Sequence, residues 1–249
     1  MNSRTAHSVR WMVALLMAML LLPACDSPLS VETPRNRYVD NISVLPGQDI
    51  GSAVSVRLPV DTTGSDTLWI PAHFSAALVI DASGSISTQM NQYLKKAGNA
   101  FLDSLDGYTD EGLVVHFTET ATVFQHLTTA VPPLRSAVNA LPMTGATAMW
   151  DGIYIAMLEL QTRATHQRQA VIVITDSDDN SSVIGTASNI IDFATRNDIM
   201  VFTIAMSITS HELTLRNIAQ TTNGRHYSQP LLSSLEGIYR EIAATLRRP

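Results

Sequence analysis

Short, almost uninterrupted apolar runs constrain the fold of this chain most strongly. Residues 76–80 are Ala-Ala-Leu-Val-Ile, residues 170–174 are Ala-Val-Ile-Val-Ile, and residues 200–206 are apolar apart from Thr203. A strand with one face in water alternates apolar and polar residues, whereas a strand that is covered on both faces is apolar throughout. These runs therefore predict the central strands of a parallel sheet that has helices on both faces.

Segments with helical apolar spacing alternate with the predicted strands. We expect helices at residues 90–105, 132–141, 149–164, 187–196, 211–222 and 231–246, and further strands at 112–117, 120–127 and 225–228. The gap between the strands at 112–117 and 120–127 is so short that it predicts an antiparallel hairpin. The expected fold is α/β, with a doubly wound, mostly parallel sheet and one antiparallel edge strand, similar to a Rossmann fold.

Residues 1–24 have the features of a bacterial lipoprotein signal peptide. Arg4 and Arg10 precede an apolar run at 11–22, which is shorter than the ~20 residues of a membrane-spanning helix. The run leads into Leu-Pro-Ala-Cys, which resembles a lipobox in which Cys25 is acylated after cleavage. An ordinary signal peptide is the alternative, but Cys25 is the only cysteine of the chain and lies at the processing point. We therefore expect a lipid anchor at a membrane of the bacterial cell envelope, on its periplasmic face.

A tether is predicted between this anchor and the folded domain. Residues 25–70 are rich in Pro, Ser, Asp and Thr, a composition typical of linkers. Strand-like patterns at 53–60 and 67–70 indicate a small extension within the tether. The regular alternation of strands and helices begins near residue 71, so one domain is expected over residues 71–249.

The overall charge argues against one class of partner. The formal net charge is −6 at pH 7, whereas nucleic-acid-binding domains carry a basic face, so we expect no nucleic-acid partner. The sequence also has no Gly-rich phosphate loop and no Gly-x-Ser-x-Gly elbow. His211-Glu212 is not followed by a second histidine at metalloprotease spacing. These absences favour a binding module over an enzyme.

Oxygen-bearing side chains gather in three segments beside the predicted strand ends. Asp81, Ser83 and Ser85 follow the first apolar run, Thr147 precedes a predicted helix, and Asp176 follows the second apolar run. In an open α/β sheet, ligands bind beyond the carboxyl ends of the strands. Carboxylate and hydroxyl oxygens are hard donors that suit Mg²⁺ or Ca²⁺. The three segments therefore predict a divalent-cation site at this edge of the sheet.

The same five residues carry a resemblance to a known family. In order, they match the Asp-x-Ser-x-Ser, Thr and Asp of the metal-ion-dependent adhesion site of von Willebrand factor A (vWA) domains. The resemblance covers residues 71–246, most of the mature chain. One departure is Ser177, since glycine often follows the final aspartate in bacterial members of the family.

The resemblance implies a ligand set and a function. Ser83, Ser85 and Thr147 would offer hydroxyl oxygens to the cation, while Asp81 and Asp176 would act through metal-bound water. Mg²⁺ is the expected ion, with Ca²⁺ or Mn²⁺ as alternatives. Mostly neutral direct ligands leave the cation electron-poor, so an Asp or Glu of a protein partner would complete its coordination.

Structural roles are the alternatives for several of these side chains. Asp, Ser and Gly are ordinary turn residues, and Thr147 could serve as the N-cap of the following helix. We expect Asp151 to support the fold rather than to bind metal, and Asp178 and Asp179 to lie in a solvated loop. The histidines form no visible site, and His116 is expected to pack within a strand.

Three functions fit these features. The leading one is a metal-dependent adhesion or scaffold module of a lipid-anchored envelope protein, which is not an enzyme. The first alternative is a Mg²⁺-dependent hydrolase or phosphotransferase that uses Asp81 or Asp176. The second is a scaffold subunit with a vestigial metal site, because a fold alone does not dictate function.

Overall fold

The structure of the protein is a computed structural model that describes residues 72–208 and 211–248. The predicted signal peptide (residues 1–24), the acylation site Cys25 and the predicted tether (residues 25–70) lie outside the described residues, so they stay predictions. Among the residues that are described, no helix is long and apolar enough to span a bilayer.

Six strands form one sheet in the order β3-β2-β1-β4-β5-β6. Their bounds are Ser75–Asp81 (β1), Glu111–Phe117 (β2), Ala121–Thr128 (β3), Gln169–Thr175 (β4), Ile199–Ala205 (β5) and His226–Ser228 (β6). All neighbouring strands are parallel except β2 and β3, which form the expected antiparallel hairpin. The predicted fold class, a mostly parallel sheet with one antiparallel edge strand, is therefore confirmed.

Six α-helices cover the two faces of this sheet. They are Thr88–Leu102 (α1), Val131–Asn139 (α2), Met149–Arg163 (α3), Ala187–Arg196 (α4), Glu212–Thr221 (α5) and Leu235–Leu246 (α6). Each lies within a few residues of its predicted position, and α4 has the predicted bounds. The last predicted helix is divided, because residues 232–234 form a separate 3₁₀ turn before α6.

Successive residues of the central strands point into two different cores. Leu78 of β1 packs in a cluster with α1, α2 and α6, while Val79 packs in a cluster with α3, α4 and α5. Every residue of β1 and β2 is buried, which explains why these strands lack a polar face. The edge strand β3 instead alternates between half-buried and exposed positions.

The topology places the predicted site at one edge of the sheet. Strands β1 and β4 are parallel neighbours, and Ile80 pairs with Ile174 in their register. The chain continues from β1 to β2 on one side of the sheet and later enters β4 on the other side. The crevice between β1 and β4 is thus a topological switch point, where open α/β sheets bind their ligands.

One buried histidine lies in β2 without a polar partner. His116 is 3% exposed, and neither ring nitrogen has a hydrogen-bond partner among the described residues. Its ring stacks on Phe124 of β3, with ring centroids 4.3 Å apart. Burial lowers the pKa of His116 to about 4, because the charged imidazolium would lose its hydration. The expectation that His116 is a packing residue is confirmed.

This histidine should make the domain less stable in mild acid. His116 takes up a proton near pH 6.5 when the chain is unfolded, but only near pH 4 when it is folded. The free energy of unfolding should therefore fall as the pH drops from about 6.5 to about 4, with about 2 kcal/mol lost at pH 5. His116→Leu should remove this loss, as measured by urea unfolding at pH 7 and pH 5.

The control for this experiment is His126→Leu, since the His126 side chain is 60% exposed. This variant should keep nearly the whole pH dependence of the wild-type protein. An equal loss of stability in His116→Leu and in the wild-type protein would contradict the assignment to His116.

Candidate metal centre

The end of β1 turns sharply and brings three oxygen-bearing side chains together. Asp81, the last residue of the strand, accepts a hydrogen bond from the backbone N–H of Ser83 through Oδ1 at 2.9 Å. The Ser83 and Ser85 hydroxyl oxygens lie 3.0 Å apart. Asp81 is fully buried and Ser83 is 1% exposed. The Asp-x-Ser-x-Ser spacing therefore puts alternate side chains on the same side of the turn.

The end of β4 joins this turn through two side-chain hydrogen bonds. The Ser85 hydroxyl donates to Oδ1 of Asp176 at 2.6 Å, and the Thr175 hydroxyl donates to Oδ2 of Asp81 at 2.7 Å. The parallel pairing of β1 and β4 makes these contacts possible, because both strands end at the same level. The structure thus brings together four of the five predicted ligands.

The fifth predicted ligand, Thr147, reaches this group through Ser177. Its hydroxyl lies 3.0 Å from the Ser177 hydroxyl, and Ser177 directly follows Asp176. The backbone N–H of Thr147 donates to the Asn180 side chain at 2.9 Å. The alternative role of Thr147 as a helix cap is wrong, because Ala148 is the N-cap of α3 and the Thr147 hydroxyl contacts Ser177 instead.

Backbone hydrogen bonds join the turn after β1 to the segment that precedes α3. The N–H of Gly84 donates to the carbonyl of Gly145 at 3.0 Å, and the N–H of Thr144 donates to the carbonyl of Ala82 at 2.9 Å. Gly145 has a φ of 83°, a conformation that side-chain-bearing residues rarely adopt. The position of Thr147 relative to the serines therefore depends on this pair of bonds.

The electrostatics of the site favour a bound cation. Burial raises the pKa of Asp81, the hydrogen bonds from Ser83 and Thr175 oppose this shift, and the nearby Asp176 carboxylate adds to it. Two carboxyl groups that converge in a buried place repel each other when both are ionised. A divalent cation between them would neutralise this repulsion, and the oxygen donors match Mg²⁺ or Ca²⁺.

Asp151 has the structural role that was expected of it. Its carboxylate accepts hydrogen bonds from three consecutive backbone N–H groups, those of Val183 at 2.9 Å, Ile184 at 2.9 Å and Gly185 at 2.6 Å. These residues form the tip of the loop between β4 and α4. Asp151 therefore fastens this loop to the first turn of α3.

Asp178 and Asp179 lie in a half-exposed loop, as expected, and each also binds a backbone group. Asp179 accepts a hydrogen bond from the backbone N–H of Trp150 at 3.1 Å, and Asp178 accepts one from the backbone N–H of His211 at 3.1 Å. Asp179 therefore binds the start of α3, and Asp178 binds the residue that precedes α5. Sequence spacing carried no signal for this, because the partners are about 30 residues away along the chain.

A cluster of one histidine and two aspartates, which sequence spacing did not reveal, lies at the opposite edge of the sheet. Ligand atoms of His73, Asp106 and Asp110 lie within 4.8 Å of one another, close enough that they could hold a metal ion. However, Asp110 forms an ion pair with Arg247, whose positive charge opposes a bound cation. Burial would raise the pKa of Asp106, but hydrogen bonds from the Thr109 hydroxyl and from nearby backbone N–H groups hold it well below its usual range.

Several solved structures share the fold of this chain. A D319A mutant of the PilB minor pilin from Streptococcus sanguinis aligns with a TM-score of 0.55 and 15% identity, over 71% of this chain and 62% of that one. A von Willebrand factor type A protein from Catenulispora acidiphila aligns with a TM-score of 0.59 and 21% identity, over 72% of this chain and 43% of that one. The vWF domain of the type V pili tip protein Mfa5 from Porphyromonas gingivalis aligns with a TM-score of 0.55 and 11% identity, over 72% of this chain and 98% of that one.

These identities are low, so the likeness shows the fold alone. This chain spans less than two thirds of the length of the first two of these structures. A search of curated proteins finds no significant match to the sequence. The sequence profile of the von Willebrand factor type A domain, in contrast, matches residues 77–241. This region contains most of the sheet and its helices and all five predicted ligands. The chain therefore belongs to the von Willebrand factor type A domain family.

Proposed function

We propose that this protein is a metal-dependent protein-binding module of the bacterial cell envelope. In this proposal Asp81, Ser83, Ser85, Thr147 and Asp176 hold Mg²⁺, with Ca²⁺ or Mn²⁺ as alternatives. An Asp or Glu of a partner protein occupies the remaining coordination position. The observation that carries the proposal is the row of oxygen atoms formed by the Ser83 and Ser85 hydroxyls and Oδ1 of Asp176.

The spacing of this row suits an octahedral cation. Oxygen ligands at right angles around Mg²⁺, each about 2.0–2.1 Å from the ion, lie about 2.9 Å apart. The Ser83 and Ser85 oxygens are 3.0 Å apart, and the Ser85 oxygen is 2.6 Å from Asp176 Oδ1. Only small shifts would therefore turn the two serine oxygens into adjacent ligands of one ion, with Oδ1 of Asp176 beside them to hold a metal-bound water.

The donor types support an acidic partner. Three of the five proposed ligands are neutral hydroxyls, and one of the two carboxylates, that of Asp81, is also engaged by the Thr175 hydroxyl. If the hydroxyls are the direct ligands and the carboxylates act through metal-bound water, the cation stays electron-poor and attracts an anionic side chain more strongly than a neutral one. A protein carboxylate meets this requirement.

The alternative, a Mg²⁺-dependent hydrolase or phosphotransferase that uses Asp81 or Asp176, has less support. Both carboxylates already accept hydrogen bonds, from the hydroxyls of Thr175 and Ser85. Two proteins that share the fold are a minor pilin and a pili tip protein, so the proposal of adhesion agrees with known uses of this fold.

The proposed location is the bacterial cell envelope. Two of the similar structures are pilus proteins, and the N-terminal sequence resembles that of a lipoprotein. We infer that lipid chains on Cys25 hold the protein at a membrane surface and that residues 25–70 connect the anchor to the domain. A tether of this length lets the domain reach partners away from the lipid headgroups.

Metal binding can be tested on two ligands at once. The double variant Ser83→Ala with Ser85→Ala should weaken Mg²⁺ binding by at least about a hundredfold in calorimetry, since two direct ligands are lost. Its circular dichroism spectrum and urea midpoint should stay close to those of the wild-type chain, because both changes are small.

The matched control is Ser87→Ala in the same segment. Ser87 caps α1 by accepting a hydrogen bond from the N–H of Met90 at 3.1 Å, so its loss should cost about 1 kcal/mol of stability and leave Mg²⁺ affinity unchanged. Undiminished affinity in the double variant would refute the ligand set. A wild-type chain that binds no divalent cation would instead support the vestigial-site alternative.

A further inference from the structure

A polar pocket lies at the edge of the sheet that β6 forms. Its volume is about 320 Å³, near the lower end of the range for small-molecule sites. We call it the arginine pocket, and residues of α5, of β6 and of the turn between them line it: Arg216, Gln220, Gly224, Arg225, His226 and Ser228. None of these residues belongs to the candidate metal centre, so the pocket would be a separate site.

The lining of the arginine pocket is rich in hydrogen-bond donors. Arg216 and Gln220 are four residues apart in α5, so their side chains project from the same side of the helix. Arg225 directly precedes β6. A guanidinium offers five N–H donors and a glutamine amide offers two, and no Asp or Glu of the described residues lines the pocket. Such a lining suits an anion.

Each arginine has an acidic partner that is not part of the lining. Nη2 of Arg216 lies 3.4 Å from Oε1 of Glu212, and Arg225 forms an ion pair with Glu241 of α6. The two arginine side chains are 50% and 62% exposed, and ion pairs in such exposed positions contribute little. Each guanidinium also has further N–H groups, so an anion can bind in the pocket while both ion pairs persist.

A buried histidine fixes one wall of the arginine pocket. The His226 side chain is 4% exposed, with Nδ1 2.7 Å from the Thr203 hydroxyl in β5 and Nε2 2.8 Å from Glu212 in α5. These bonds join β6 to both neighbouring elements, so the backbone at Arg225 is held beside α5. A pre-ordered pocket loses less entropy when a ligand binds. Because both ring nitrogens are engaged, His226 is not free to act as a general base, and the pocket suits binding rather than catalysis.

We propose that the arginine pocket binds a phosphate group. Two guanidinium groups line the same pocket, and each can donate two parallel N–H bonds to an anion. A carboxylate has two oxygens, which one guanidinium satisfies, whereas a phosphate monoester has three terminal oxygens that two guanidinium groups can share. The inference goes beyond the proposed function and does not depend on a bound cation. Two sources have this chemistry, a soluble phosphate monoester and the headgroup of a lipid such as phosphatidic acid.

Calorimetry on the full chain tests the site, with inorganic phosphate and glycerol 3-phosphate as the soluble probes. EDTA is present throughout, so that phosphate cannot bind through a cation at the candidate metal centre. Arg216→Gln and Arg225→Gln should each weaken binding at least about tenfold, since each removes charged hydrogen-bond donors. Their urea midpoints should stay close to that of the wild-type protein, because both side chains are largely exposed.

The matched control is Arg240→Gln. Arg240 is 57% exposed and lies 3.2 Å from Glu236, four residues earlier in α6, which is the same spacing as that of Arg216 and Glu212. It does not line the pocket, so its variant should bind phosphate like the wild-type protein. An equal loss of affinity in all three variants would show an effect of net charge alone and would overturn the site.

Vesicles distinguish the two sources of the phosphate. The chain is sedimented in EDTA with phosphatidylcholine vesicles that either contain or lack phosphatidic acid, so that a lipid anchor on the chain affects both samples alike. Arginine-dependent binding of the soluble probes supports the site for a soluble monoester, and binding that depends on both arginines and on phosphatidic acid supports it for a lipid headgroup.

The failure of this inference is distinguishable from that of the proposed function. If neither the probes nor the vesicles distinguish the wild-type protein from Arg216→Gln and Arg225→Gln, the arginine pocket is not a phosphate site and the proposed function stands. The Ser83→Ala, Ser85→Ala variant should bind phosphate like the wild-type protein. A loss of phosphate binding in that variant would overturn the assignment to the arginine pocket.

Discussion

Asp151→Ala is expected to lower the free energy of unfolding by about 3–5 kcal/mol. The Asp151 carboxylate is 9% exposed and accepts three backbone N–H groups. A hydrogen bond to a charged group contributes about 1.5–3 kcal/mol, and a buried donor without a partner carries its own desolvation cost. Alanine would leave all three donors without an acceptor, and the bond from Gly185 is a buried one, so the loop tip should detach from α3. Urea unfolding monitored by circular dichroism measures the effect.

Asp192→Ala is the matched control for this variant. Asp192 is also a helical aspartate, but it forms an exposed ion pair with Arg196, four residues further along the chain. Such pairs contribute less than about 0.5 kcal/mol, so the control should unfold almost like the wild-type protein. A loss below about 1 kcal/mol in Asp151→Ala would show that the loop tip does not depend on this carboxylate.

Gly224→Ala is expected to cost about 3 kcal/mol or more. A Cβ at this position would overlap the backbone carbonyl of Val201 in β5, and the β5 backbone, which is paired with β4 at Val201, cannot move aside cheaply. Overpacking of this kind usually costs about 1–3 kcal/mol, and more when the neighbour is rigid. The change should therefore lower the urea midpoint strongly and disturb the pairing of β5 with β6.

Gly237→Ala tests the same substitution where space is available. Gly237 lies inside α6, and a Cβ there would have no neighbour within 4 Å among the described residues. Alanine favours a helix by about 1 kcal/mol relative to glycine, so this variant should be more stable than the wild-type protein. Equal midpoints for the two alanine variants would contradict the close approach of Gly224 to β5.

The end of α5 shows what a local sequence pattern predicts and what it does not. The pair Asn223-Gly224 predicts the end of this helix, and the helix does end at Thr221. Asn223, however, takes the left-handed conformation with a φ of 59°, and the N–H of Gly224 donates to the carbonyl of Ala219 at 2.8 Å. Glycine is needed at 224 because of β5, which is distant in sequence, rather than because of the turn itself.

The candidate metal centre also has a part that the sequence predicts and a part that it does not. The order and spacing of Asp81, Ser83 and Ser85 predict a cluster because a turn after a strand puts alternate side chains on one side. The contact of Thr147 with Ser177 could not be predicted in this way, since it depends on how two loops pack. The same holds for the binding of the loop tip by Asp151, and for the proximity of His73 to Asp106 and Asp110.

The sequence by itself determined the sheet, its helices and the edge at which ligand-type oxygens collect. Burial on both faces imposes apolar runs that are visible in a few consecutive residues, and parallel strands must end at a common edge. Only the tertiary structure decided which side chains hold the loops over that edge. Those contacts join residues about 30 positions apart, and their formation depends on the packing of whole elements, which leaves no short-range pattern in the chain.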